Sequence, residues 1–137
     1  HRDLHSFPTR RSSDLKLPTI VLTFVFCVGV KAFNNCDEWL KAAISTIESN
    51  AHYLKTLLDT HIPAAKYEIP QCSYLAWIDV SALGLGEDPC KVFLDKGRVA
   101  FNAGKIYGPS ATQFVRINLA TSESVLAEAV NRMVKSL

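Results

Sequence analysis

The chain reads as an α+β domain, an α/β sandwich with a mainly antiparallel sheet and helices packed on one face. Three features predict this. A long amphipathic stretch begins at Asp37, short β-rich runs are separated by glycine and proline, and a second amphipathic stretch follows Ser122 to the last residue. With 137 residues, 48% hydrophobic and 20% charged, the chain is long enough to bury one continuous core.

From Asp37 the apolar residues Leu40, Ile44, Ile47, Ala51, Leu54 and Leu58 recur every three or four positions, tracing one helix face, while Lys41, Ser45, Glu48, His52 and Lys55 trace the other. The helix is expected to end near Thr60, because Pro63 disfavours helical geometry at Ile62. Pro70 then bounds a short extended piece at 66–69. Residues 73–80 (SYLAWIDV) are aromatic and β-branched, lie between Pro70 and the glycines Gly84 and Gly86, and predict a strand.

Asp88 caps a short helix with Pro89 in its first turn, running to about Lys96 and closed by Gly97. A short strand is expected at 98–101, then a loop at 102–110 containing Gly104, Gly108 and Pro109. Residues 113–119 alternate: Val115, Ile117 and Leu119 point to the core, and Phe114, Arg116, Asn118 and Ala120 to a polar face. Thr121 or Ser122 caps the final helix, whose apolar stripe is Val125, Leu126, Ala129, Met133, Val134 and Leu137, with Glu123 in its first turn.

The start of the chain does not fit this domain. Residues 1–15 (HRDLHSFPTRRSSDL) have no apolar period, and from His5 they match the translation of a common sequencing-adapter oligonucleotide, so they resemble an assembly scar. Residues 16–36 form an apolar segment that imitates a secretory signal, with Lys16 before the apolar run and Val30-Lys31-Ala32 as a cleavage-like site. Pro18 and the β-branched residues after it equally suit a strand or loop entering a buried helix at a domain interface, which is the reading preferred here.

A formal charge of +2 makes no electrostatic case for nucleic acid. Cys27, Cys36, Cys72 and Cys90 form no C-x-x-C pair, and the four histidines lack metal-ligand spacing. Reduced, buried thiols are expected, hence a cytoplasmic protein with no membrane partner.

Four stretches carry a resemblance to a known family: Asp37-Glu38-Trp39-Leu40, Ile47-Glu48-Ser49-Asn50 with Tyr53 and Leu54, Tyr74-Leu75-Ala76-Trp77-Ile78-Asp79, and Phe114-Val115-Arg116-Ile117-Asn118-Leu119-Ala120-Thr121. In order and separation they resemble the small carboxy-terminal domain of fold-type I enzymes dependent on pyridoxal 5′-phosphate, aminotransferase class I and II, in the cystathionine β-lyase or carbon–sulfur lyase branch. The segment Val99-Ala100-Phe101, then Gly104 and Tyr107-Gly108, resembles the family's apolar strand and glycine-bearing loop.

The resemblance implies residues 37–137 as that small domain, with 16–36 a remnant of the interdomain region. It also implies a longer whole protein, expected as a homodimer, whose missing large domain binds the cofactor and supplies the Schiff-base lysine. None of the nine lysines present has a family-like context for that role. By the same resemblance Arg116 is the residue that binds the carboxylate of an amino-acid substrate, a role suited to the planar two-donor fork of a guanidinium. The isolated chain is then expected to be inactive.

Asn118 shares the face of Arg116, either supporting the clamp or serving as a turn asparagine. Trp77 and Tyr74 are read as core aromatics, Gly104 and Gly108 as loop-geometry residues, and Tyr107 stays unassigned between cleft and core. Two other functions stay open: a secreted non-enzymatic domain in which 16–32 is a signal peptide and the cysteines pair, or a stand-alone interaction domain.

Overall fold

The computed structural model describes residues 19–137. The scar expected at 1–15 and the signal-like start at 16–18 lie outside the described residues. The chain divides into two compact units, residues 1–40 and 41–137.

The described part of the first unit is helix α1, Thr19–Asn35, and the opening turn of α2, Asp37–His61. The strand or loop allowed for this segment is a helix of 17 residues instead. An unbroken apolar run of that length exceeds a strand, whereas a helix satisfies its interior backbone groups within itself. In this chain its large apolar side chains from Val21 to Phe33 are exposed, Phe33 at 88%. The helix is apolar around its whole circumference, so its sequence marks no inward face. No helix among the described residues is long and apolar enough to cross a membrane.

In the second unit α2 buries Asn50, Ala51, Leu54 and Leu58, but Ile44 of the same stripe is exposed. Lengths explain this: a helix of 25 residues spans roughly 37 Å and a strand of 5 residues roughly 17 Å. About half of α2 therefore overhangs the sheet. The helix ends at His61, and Ile62, whose N–H still reaches Leu58 O at 2.8 Å, turns into the core.

The sheet contains β1 (Lys66–Tyr67), β2 (Leu75–Asp79), β3 (Asn102–Ala103) and β4 (Phe114–Asn118) in the order β1-β2-β4-β3. All pairings are antiparallel, as the fold class required. The alternation expected at 113–119 buries Val115 and Leu119 on one face, with Ile117 partly buried beside them, and β2 adds Ala76 and Ile78, extended by Val80. There they meet Leu54 and Leu58 of α2, Phe93 of α3 (Pro89–Gly97), and Val130 and Met133 of α4 (Glu123–Ser136).

Helix α3 starts as its sequence dictates: Pro89 is in the first turn and Asp88 Oδ1 accepts the Lys91 N–H at 3.3 Å. Hydrogen bonding to Lys105 holds the Asp88 carboxyl below its ordinary range. Its end is a correction, because Gly97 is the last helical residue and Arg98 takes the left-handed conformation, φ 54°. The N–H groups of Arg98 and Val99 close the helix on Leu94 O and Phe93 O. Gly97 serves close packing instead: a Cβ there would lie 2.6 Å from the backbone oxygen of Arg132 on α4. Because residues 98–101 turn the chain out of this cap, the strand expected there begins only at Asn102.

The same packing rotates α4. Its buried stripe is Leu126, Val130, Met133 and Ser136, so Val125, Val134 and Leu137, expected inside, are exposed. Ser136 faces Gly97, where a longer side chain would not fit. Ser122 is the N-cap residue, but its hydroxyl pairs with that of Ser124 and not with a backbone N–H.

All four cysteines are free thiols, so the pairing needed by the secreted reading is not formed. The burial expected of them is corrected as well: Cys27, Cys36 and Cys72 are exposed, and Cys90 is half-buried, with burial pushing its pKa up. They fall on α1, on its junction with α2, on the loop before β2 and on the first turn of α3, where Cys90 packs against the edge of the core.

Candidate functional site: the open face of the sheet

Strand alternation places Arg116 on the face of β4 away from the helices. Antiparallel register sets Trp77 of β2 opposite it on one side and Asn102 of β3 on the other. Residues from three strands thus form one row across the open face.

The loop between β3 and β4 covers part of this row. Its first segment, Gly104–Tyr107, is a 3₁₀ turn that lies directly against β4: a Cβ on Gly104 would meet Ala111 O at 2.0 Å and Phe114 O at 2.7 Å. Tyr107 places its ring 4.9 Å from the Arg116 guanidinium carbon. Trp77 packs edge-on against Tyr107, with centroids 5.1 Å apart at 76°, and against Phe114 at 6.3 Å. The face expected to be polar is therefore an aromatic surround for one cation.

Arg116 is half-buried, its Nε has no hydrogen-bond partner, and among the described residues no carboxylate pairs with it. Leaving a buried donor unmatched costs about 1–3 kcal/mol, so such a group calls for an explanation. Beside it a groove of about 470 Å³ opens between Phe101 and Asn102, Asn118, and Val125 of α4. The other buried atom without a partner is the Tyr67 hydroxyl, whose pKa burial pushes up to about 12. Tyr67 belongs to the core cluster on the helix side, not to this face.

The remaining candidates separate cleanly. Asn118 lines the groove, but its Oδ1 accepts the Ala120 N–H at 2.8 Å, which makes it a turn asparagine. Tyr74, expected in the core, is 50% exposed, because it precedes β2 and only its backbone oxygen joins the sheet, accepting from Leu119 N. Trp77 is half-buried on the open face. The described histidines His52 and His61 are exposed, and no metal-binding group of three appears among the described residues.

In the sequence Asn102 falls in the loop at 102–110 and Tyr107 fits either cleft or core. The available signal was the spacing of Gly104 and Tyr107, since residues three apart in a 3₁₀ turn share a face. Asn50, quoted in a motif but given no role, is buried and donates from Nδ2 to Leu119 O at 2.8 Å and Thr121 O at 2.7 Å. It ties α2 to the turn where β4 leads into α4.

No protein-family model matches the chain. Among curated relatives, a putative cystathionine β-lyase of Mycobacterium tuberculosis (strain H37Rv) is 37% identical, with 77% of this chain and 30% of that protein covered. Cystathionine β-lyase PatB of Bacillus subtilis is 34% identical, over 77% of this chain and 28% of its own length. Among solved structures, a putative PLP-dependent β-cystathionase from Corynebacterium diphtheriae superposes with a TM-score of 0.73 at 34% identity, covering 77% of this chain and 28% of that one. PLP-bound C–S lyase from Staphylococcus hominis does so with a TM-score of 0.71 at 26% identity, covering 77% and 28%.

The chain spans about 30% of the length of the curated relatives it matches. Its residues do not fit a complete pyridoxal phosphate site. None of the described lysines is buried, and the N-termini of α3 and α4 carry the acids Asp88 and Glu123 where a phosphate would need neutral or basic groups. What is present is the sheet-and-helix domain with Arg116 on its open face: the homologues of this chain are PLP-dependent carbon–sulfur lyases and aminotransferases, and it corresponds to the carboxy-terminal domain of that fold-type I family.

Proposed function

We propose that the whole protein is a pyridoxal-phosphate-dependent carbon–sulfur β-lyase of the cystathionine β-lyase type, or an aminotransferase, acting on an amino acid. This domain supplies the arginine that holds the substrate's carboxylate. The observation that carries the reading is Arg116: a cation held on the open face, with a buried Nε–H lacking any partner and a groove beside it. The names of the relatives support the reaction class.

The cofactor is assigned to the part of the relatives' length that this chain does not span. What the chain's own residues do is bind and orient. Two parallel N–H donors on a planar fork take two carboxylate oxygens, fixing both the position and the rotation of the substrate about its α-carbon. Lyase and aminotransferase both begin from an amino acid held in this way, so the domain serves either. The chain alone is inactive on this reading, because a clamp without the reacting groups positions nothing. We assign the whole enzyme to the cytoplasm, where free thiols persist, and to a homodimer in line with the family resemblance.

The test is kcat/KM for an amino acid and for its amine analogue lacking the carboxylate, in whole enzyme carrying this domain. Arg116→Ala removes hydrogen bonds that contribute about 1.5–3 kcal/mol each, so the amino acid loses roughly a hundredfold or more and the amine little. Arg116→Lys recovers only part, since an ammonium does not reproduce the two-point contact. Equal losses on both compounds, or none, would reassign Arg116 to structure.

A further inference from the structure

We infer that Tyr107 is a positioning residue for Arg116: its ring, braced by Trp77, holds the guanidinium in the attitude that receives the carboxylate. This rests on the reading of Arg116 as the substrate-carboxylate arginine. A guanidinium on a long, many-rotamer stem presents two parallel donors only if the stem is held. Arg116 has no described carboxylate partner and no acceptor at Nε, and the contact present is the Tyr107 ring at 4.9 Å, within the roughly 6 Å range of a cation–π interaction.

The arrangement is constrained from three directions. Gly104 lies so close to β4 that no side chain fits there, which fixes the start of the loop against the strand. Tyr107 follows three residues later in the same 3₁₀ turn, on the side where Gly104 meets β4, and its ring reaches Arg116. Trp77, opposite Arg116 in register, meets the Tyr107 ring edge-on at 5.1 Å and is itself backed by Phe114. Holding the cation with a ring instead of an acid leaves its donors unspent and its charge unneutralised, which an anion-binding arginine requires. No role is needed for the tyrosine hydroxyl, and at 49% exposure the residue contributes little to the core.

The experiment assays whole enzyme carrying this domain, parent and Tyr107→Leu, Tyr107→Met, Tyr107→Phe and Arg116→Ala, on an amino acid and on its amine analogue. In parallel, the Nε–H proton of Arg116 is followed by NMR in the present chain, assigned by its loss in Arg116→Ala. The expected result is a roughly tenfold fall in kcat/KM for the amino acid in both ringless variants, with the amine unaffected and Tyr107→Phe near parent. The Nε–H proton, shifted by the ring in parent and Tyr107→Phe, moves toward the free-arginine position in Tyr107→Leu and Tyr107→Met.

Equal losses on amino acid and amine, or an Nε–H proton indifferent to loss of the ring, would overturn the inference. If Arg116→Ala abolishes the preference for the amino acid while the ringless variants keep it, the clamp stands and the positioning role falls. If Arg116→Ala itself leaves the preference intact, the clamp reading fails and the positioning role fails with it.

Discussion

The two faces of the sheet use the same strands for different ends. Toward the helices β2 and β4 present Ala76, Ile78 and Val115, fully buried and without a side-chain polar atom. On the other face the neighbouring positions are Trp77, Phe114 and Arg116, half-buried, with an exposed Tyr107 over the cation. Two polar side chains, one on each face, show the difference. Asn50, on the helix side, spends its Nδ2 on two backbone oxygens and has a structural task, whereas Arg116 keeps a buried donor idle. The Tyr67 hydroxyl on the helix side is unpartnered as well, so what sets Arg116 apart is the groove that opens beside it.

The sharpest way to break this comparison is to damage the helix-side face. Phe93 is fully buried between α3 and the sheet, in edge contact with Phe101 at 5.6 Å. Phe93→Ala is expected to cost about 3–5 kcal/mol in urea unfolding, from lost burial plus the cavity left behind. A cost below about 1 kcal/mol would mean that the core is not organised around α3.

Asn50→Ala comes next. It leaves the carbonyls of Leu119 and Thr121 without their side-chain donor, at a cost of about 1–3 kcal/mol, and loosens the turn before α4. Hydrogen exchange at the amides of residues 119–123 should quicken more than exchange in β2. Uniform quickening would show that Asn50 contributes only to global stability.

Much of this architecture is legible in the sequence, and the parts that are not share a cause. The period of α2, the Asp88-Pro89 start of α3 and the alternation about Arg116 are local signals, and local geometry follows them. Gly97 reads as a cap because glycine after a short helix usually is one. Its actual task, letting α4 approach within a backbone's reach, depends on a helix 35 residues away in the chain. The rotated stripe of α4 is the other half of the same contact. Arg116 as a site residue came from family resemblance, since alternation alone gives only a polar residue on a strand. The place of Tyr107 depends on the loop lying on β4, a non-local contact that no local signal marks.

The central claim is that Arg116 is held by the fold without serving it. Its direct test is the urea unfolding free energy of Arg116→Met against the parent chain. Methionine keeps most of the stem's packing and removes the unpartnered Nε–H, offsetting the lost cation–π contact of about 0.5–2 kcal/mol against the roughly 1–3 kcal/mol cost of the unmatched donor. The account predicts a stability within about 1 kcal/mol of the parent, or slightly above it. A loss of about 3 kcal/mol or more would contradict it, making Arg116 a structural residue and the open face a second core.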